Sequence, residues 1–382
     1  MVLEATDNAE ISLTRYLRTM ITVKLTIKKI NFMKRLRLTL VVIMLCLLGG
    51  LPAMAQKSKK QAREPQPAAV TQAKKVKVVI DNDFCGDPDG LFQLVHQLLC
   101  KTCDVRAIVG GHLAPNAGFT SRSDQATESC EKANKVLELM GMQGQVKVVP
   151  GAETGLKSTT EPIRSAGAQA IVDEARQCTP EKPLYVLCGA ALTNVACAHL
   201  IDPSIDDKVV VVWIGGQEYQ GVGSYPPPGY SKVEYNLNLS IAAGQVVFNQ
   251  SKMRIWQVPR DVYRQCLYGL DEVRTKIAPY GKVGAFLLES LMNTVNSCEK
   301  YGIPMGECYI LGDSPLVLLT ALQSGFEADP SSSQYQYVSC PTINDDGSYG
   351  LNHNGRLIRV YTHIDSRLMF GDLEAKMQLL GK

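Results

Sequence analysis

Six short, β-branched runs limit what this chain can fold into: Val76–Ile80, Val105–Val109, Val146–Val149, Leu184–Leu187, Val209–Ile214 and Arg254–Val258. They are nearly continuous in apolar residues, and amphipathic segments separate them. Strands of that kind are buried on both faces, which points to a mostly parallel sheet covered by helices. Between the first two runs, Asp89–Leu99 places Leu91, Leu94, Val95, Leu98 and Leu99 on one helical face. The expectation is an α/β fold: an open, mostly parallel sheet flanked by helices, with a Rossmann-like core. Residues 76–382 suit one such domain in length.

Polar, glycine-bearing loops follow the runs: DNDFCGDPDG, GGHLAPN, PGAE, CGAALTN and GGQEY. In open α/β sheets ligands bind beyond the carboxyl ends of the strands. Glycine there lets backbone approach a ligand closely. Generic βα loops carry glycine too, so the loops locate a site only together with chemistry-bearing residues.

The first 55 residues read differently. Lys34, Arg35 and Arg37 precede an apolar run, Leu38–Leu48, and Ala53-Met54-Ala55 supplies a small-residue cleavage site. That pattern is a secretory signal, too short for a comfortable membrane span. It predicts a periplasmic or secreted protein with no membrane attachment after cleavage. Residues 56–75 are polar and apolar-poor, as in a flexible linker. The leader holds eight of the 40 basic and three of the 37 acidic residues, so the remainder carries 32 and 34. A net charge of +3 thus becomes about −2, with nothing to suggest a nucleic-acid partner.

Eleven cysteines follow the leader. None has zinc spacing, and Cys100-Lys-Thr-Cys103 follows a helix instead of opening one, unlike a redox motif. Most read as buried apolar filler. One or two disulfides, Cys100–Cys103 among them, are compatible with export.

The first loop is the most pointed. Asp81, Asp83, Asp87 and Asp89 fall within nine residues. Helix capping explains Asp87 or Asp89, with Pro88 in a first-turn position. Asp81 and Asp83, two apart at a strand's end, should point to one side. A hard divalent cation would relieve the repulsion, taking oxygen ligands from carboxylates and carbonyls.

Five motifs in order then resemble the inosine/uridine-preferring nucleoside hydrolase family. The opening aspartates resemble DxDxxxDD, and CGAALTNVA at 188–196 resembles a glycine loop followed by LTN. Glu234-Tyr-Asn236 with Ser240-Ile-Ala242-Ala243 resembles ExN and DPxAA, Pro259-Arg-Asp261-Val262-Tyr263 resembles PLDVT, and Gly312-Asp313-Ser314-Pro315-Leu316 resembles HDPLA. The resemblance implies calcium-dependent cleavage of an N-glycosidic bond in a nucleoside or other small ribosyl compound. It implies Ca2+ ligands at Asp83, a second opening aspartate, the Gly189 (or Cys188) carbonyl and Asp313. The family's second ligand falls on Pro88, so the role passes to Asp89. Asp87, Glu234 and Asn236 would hold ribose hydroxyls, with Asp81 and Asn194 supporting from behind.

Such cleavage passes through an oxocarbenium-like state that clustered carboxylates steady. Asp83 would take a proton from a water held at the ion. For the leaving group, the family's histidine is replaced by Gly312, and His112 is the histidine best placed near the site, with Tyr225 and Tyr263 as other candidates. Ser240 replaces an aspartate, and the loop 217–232 is longer than the family pattern. Two other readings stand beside this one: a catalytically silent binder of metal and ribose, and a haloacid-dehalogenase-type phosphatase, which Leu311-Gly312-Asp313-Ser314 faintly resembles without its second acid. Base preference is not legible, and a homo-oligomer is left open.

Overall fold

The computed structural model describes residues 75–224, 226, 230–324 and 330–381. The expected leader, nearly all of the linker and Tyr225 lie outside them. No described helix is long and apolar enough to cross a membrane.

All six expected strands are present, as β1 (Val76–Asn82), β2 (Cys103–Gly110), β3 (Lys147–Pro150), β4 (Leu184–Cys188), β5 (Val209–Ile214) and β6 (Arg254–Val258). Later come a short ribbon of β7 (Leu267–Gly269) and β8 (Cys308–Ile310), then β9 (Gln334–Ser339), a second ribbon of β10 (Thr342–Ile343) and β11 (Tyr349–Gly350), and β12 (Leu357–His363). The main sheet has eight strands in the order β3-β2-β1-β4-β5-β6-β12-β9. Only β9 runs antiparallel to its neighbour.

Period-two alternation sends each strand's residues into two separate cores. In β1, Val78 and Ile80 join one cluster and Val79 the other. In β5, Val210, Val212 and Ile214 join the first, and Val209, Val211 and Trp213 the second. Helices α1 (Asp89–Leu99) and α2 (Gln125–Leu139) cover the first face, and α3 (Ala166–Arg176) and α4 (Thr193–Ile201) the second. Burial on both faces is why the strands read as unbroken apolar runs.

The chain winds outward through β1, β2 and β3, then returns to place β4 on the other side of β1. The loops after β1 and β4 therefore diverge, which opens a crevice at their carboxyl ends. Gly189, directly after β4, still donates its N–H to Asp81 O at 3.1 Å.

Eleven cysteines are described, and all are free thiols. The disulfides considered from sequence do not form among them. Cys100 Sγ instead donates to His96 O, and Cys103 Sγ accepts from Gln97 Nε2.

Candidate active site

A cavity of about 470 Å³ opens over the β1–β4 crevice. Asp83, Asp87, Asp89, Asp313, Gly189 and Asn236 contribute to its polar part. Leu113, Phe119, Leu267, Met305 and Ile310 form an apolar wall, with Tyr235, Tyr263 and Tyr309 between. Leu267 and Ile310 are paired across the β7–β8 ribbon, so that ribbon supplies one wall. Among the described lining residues there is no lysine, arginine or histidine.

Asp81 and Asp83 part company, contrary to the expectation that they share a side. β1 ends at Asn82, so strand alternation stops before Asp83. Asp81 is buried on the second-core face, where Asn194 Nδ2 donates to its Oδ1 at 2.9 Å. Asn194 Oδ1 in turn accepts the Ala152 N–H at 2.9 Å. Burial pushes the Asp81 carboxyl up to about 7 against the Asn194 hydrogen bond. Asp83 faces the cavity instead.

Pro88 and Asp89 also face different ways. Pro88 caps α1 backbone-wise and lines a separate cavity behind the loop, while Asp89 is the first residue of α1 and lines the main one. Asp87 Oδ1 accepts the Asp89 N–H at 3.0 Å, so Asp87 steadies the helix start while it faces the cavity. The N-cap position itself belongs to Pro88, which makes no side-chain cap bond, so neither Asp87 nor Asp89 is the cap.

Asn82, passed over in the sequence, holds the centre. It is fully buried, and its Nδ2 donates to Asp313 Oδ2 at 2.8 Å while its Oδ1 accepts the Asp83 N–H at 2.9 Å. A Cβ on Gly189 would fall 2.4 Å from Asn82 Nδ2. Glycine at 189 is thus the space in which Asn82 lies. The available signal was parity: Asn82 is a polar residue on the first-core face, beyond Val78 and Ile80.

The carboxylates are electrostatically uncomfortable. Burial, then the charges of Asp313 and Asp87, raises Asp83 well above the usual carboxylate range. Burial and the same two neighbours do likewise to Asp89. Asp313 is pushed up to about 8 by burial, with the Asn82 hydrogen bond opposing and Asp87 adding. A hard dication with oxygen ligands fits this donor set, because it cancels the repulsion that protons otherwise must. Among the described residues, the one cluster whose ligand atoms all lie within 4.8 Å is His96, Cys100 and Asp372. The carboxylates of the cavity do not close into a cluster that tight.

Three of the expected site residues are held by neighbours within the protein, and two of them, Glu234 and Asn236, also line the cavity. His112 does not line the cavity: it is buried, its Nδ1 lies 3.1 Å from Leu113 O and its Nε2 2.8 Å from Thr193 Oγ1. Nδ1–H donating to the carbonyl leaves Nε2 to accept from threonine, a neutral imidazole, and burial lowers its basicity accordingly. Glu234, expected to hold a hydroxyl, already accepts four hydrogen bonds. Its Oε1 takes the Asn236 N–H and Tyr263 Oη–H at 3.0 Å, and its Oε2 takes the Gly216 N–H at 2.7 Å and the Leu237 N–H at 3.0 Å. It caps the short helix Tyr235–Asn238, and Gly216 can reach it because glycine tolerates φ +84°. Asn236 Nδ2, expected on ribose, donates to Gly189 O at 3.0 Å and Ile214 O at 2.8 Å, stitching the ends of β4 and β5. Its amide oxygen is what remains for a ligand.

The profile of the inosine-uridine preferring nucleoside hydrolases matches residues 78–367. The chain belongs to that family. It is accordingly a hydrolase of N-glycosyl compounds, with a small-molecule nucleoside as its class of substrate. Solved structures agree in fold. A purine-preferring ribonucleoside hydrolase from Gardnerella vaginalis superposes with a TM-score of 0.62 at 16% identity, covering 80% of this chain and 99% of its own. The plant nucleoside hydrolase PpNRh1 gives 0.58 at 16%, covering 79% and 98%. The inosine-uridine preferring nucleoside hydrolase from Bacillus anthracis gives 0.54 at 14%, covering 80% and 99%. No curated protein matches by sequence. The phosphatase reading lacks its lysine among the described lining residues, and the family assignment displaces it.

Proposed function

We propose that this chain cleaves the N-glycosidic bond of a ribonucleoside or related ribosyl compound with the help of Ca2+. The observation that carries the reading is the convergence of Asp83, Asp87, Asp89 and Asp313 on one cavity with no described cationic side chain. Asp83, Asp89, Asp313 and the Gly189 carbonyl would hold the ion. When bound, Ca2+ would orient the ribose hydroxyls and the attacking water.

The chain's own groups do the rest. Asp83 sits beside the strand end, with its backbone fixed by Asn82, and takes the proton as water adds to the sugar carbon. Asp87 accepts from a ribose hydroxyl, and the Asn236 amide oxygen offers a second acceptor. The remaining negative charge steadies positive charge on the ribose as the bond breaks. Glu234 acts at one remove, holding Tyr263 and Asn236 in place. The leader sequence supports export, so the substrate would be met in the periplasm or outside the cell.

The test is hydrolysis of inosine, uridine and p-nitrophenyl riboside before and after chelation. Turnover that falls by about 100-fold or more with chelator and returns with Ca2+ supports the reading. Turnover indifferent to chelator overturns the ion's role, and riboside binding without turnover leaves only a binder.

A further inference from the structure

One of the buried thiols stands among other metal-binding atoms, away from the acidic cavity. We propose that His96, Cys100 and Asp372 form a Zn2+ site that ties the end of α1 to the C-terminal helix, Ser366–Leu380. The site goes beyond the ribosyl hydrolase reading and stands whether or not the acidic cavity holds Ca2+.

Geometry carries the argument. His96 lies in the last turn of α1 and Cys100 is its C-cap, four residues on and so on the same face. Asp372 arrives from 276 residues beyond His96, which is why no zinc spacing shows in the sequence. One ring nitrogen of His96, Cys100 Sγ and one Asp372 oxygen all lie within 4.8 Å of one another. His96 Nε2 already faces Asp372 Oδ2 at 2.8 Å. A tetrahedral ion with bonds of about 2.0–2.3 Å holds its donors about 3.3–3.7 Å apart, so small side-chain rotations admit one.

Donor chemistry selects the ion. Imidazole, thiolate and carboxylate are ligands of Zn2+, whereas Ca2+ takes oxygens alone. Three protein donors leave a fourth position to water, reached past Asp372, whose side chain is 26% exposed. None of the three residues lines the main cavity. His96 stands seven residues, about 10 Å of helix rise, from Asp89.

A second observation points to a ligand. Gln93 Nε2 and Oε1, His96 Nδ1 and Gln97 Oε1 are buried without a hydrogen-bond partner among the described residues. All three side chains share the face of α1 that leads to Cys100. Buried polar atoms are normally paired, and a bound ion is one cause when they are not. Metal at Nε2 moves the ring proton to Nδ1, and the glutamine amide oxygens are the unpartnered acceptors on that face. Lys376 is the competitor: its ammonium pairs with Asp372 Oδ2 and must yield that oxygen to the ion.

The experiment titrates Zn2+ by calorimetry into the metal-stripped full chain with Ca2+ in excess, and repeats it in Cys100→Ser, Asp372→Asn and Lys376→Gln. Co2+ then replaces Zn2+, and its absorption spectrum reports thiolate coordination. The proposal expects one Zn2+ per chain, a thiolate-to-Co2+ band and a higher melting temperature with Zn2+. Affinity should fall by about 100-fold or more in Cys100→Ser and Asp372→Asn. It should rise in Lys376→Gln, which removes the competing cation and keeps all three ligands, so that variant answers even if a ligand variant misfolds. Absence of Zn2+ binding by the wild-type chain would overturn the proposal. So would wild-type affinity in folded Cys100→Ser, or a Co2+ complex without the thiolate band, either of which puts the ion elsewhere. Binding no tighter in Lys376→Gln than in wild type would remove Asp372 from the site and overturn it too.

Discussion

Asn82 Nδ2 donates to Asp313 Oδ2 across 2.8 Å, joining the end of β1 to a loop 231 residues further along the chain. This bond sets the distance between the opening aspartates and the last one. Asn82→Ala should therefore weaken Ca2+ binding and turnover about 10–100-fold, as losses of outer partners of metal ligands do. It should also cost about 1–3 kcal/mol of stability, because Asp313 loses a buried partner. Calcium titration and denaturant melts of the variant check both. Unchanged Ca2+ affinity would make Asn82 a packing residue only.

Gly189→Ala tests the same relationship from the other side. The added methyl would lie 2.4 Å from Asn82 Nδ2, so it must displace the amide. Ca2+ affinity should fall with no ionisable group altered, and a combined Asn82→Ala, Gly189→Ala variant should recover part of the stability lost in Gly189→Ala. Additive losses in the double variant would contradict the contact.

His112→Ala separates a structural from a catalytic histidine. Because the ring contacts Leu113 O and Thr193 Oγ1 away from the cavity, kcat should change less than about threefold, while stability drops by about 1–3 kcal/mol. A kcat loss of about 100-fold at full folding would return it to the chemistry.

Stability should depend on pH in the sense opposite to that of paired surface carboxylates. Folding raises Asp313 from 3.8 to about 8 and Asp81 from 3.8 to about 7. Between those limits the folded chain binds more protons than the unfolded chain, so stability falls as pH rises through the window. Ion-free protein should melt lower at about pH 8 than at about pH 5, and Ca2+ should raise the melting temperature more at the higher pH. A melting temperature that rises with pH in the absence of Ca2+ would contradict these shifts.

Much of this was legible before the structure. The six apolar runs became six strands because burial on both faces leaves no polar alternation to mislead. The later strands were missed because the edge strand β9 and its neighbour β12 carry tyrosines, arginine and glutamines, and β7 and β8 have only three residues each. Asp83, Asp87, Asp89, Gly189 and Asp313 were found from motif order, and all reach the cavity. What local pattern could not carry was direction. Pro88 faces away from the cavity that Asp89 lines, Asp81 and Asp83 separate where the strand ends, and Glu234 and His112 are engaged by partners distant in sequence. Those partners, Gly216, Tyr263 and Thr193, are set by the return of the chain across the sheet.

The central claim is that Asp89 stands in the acidic cavity as an ion ligand while Pro88 turns away. Calorimetric titration of Ca2+ into the wild-type chain and Asp89→Asn, with riboside turnover measured on the same samples, tests it most directly. The account predicts one Ca2+ per wild-type chain, and affinity and turnover both reduced by about 100-fold or more in Asp89→Asn. Wild-type Ca2+ affinity retained in Asp89→Asn would contradict it.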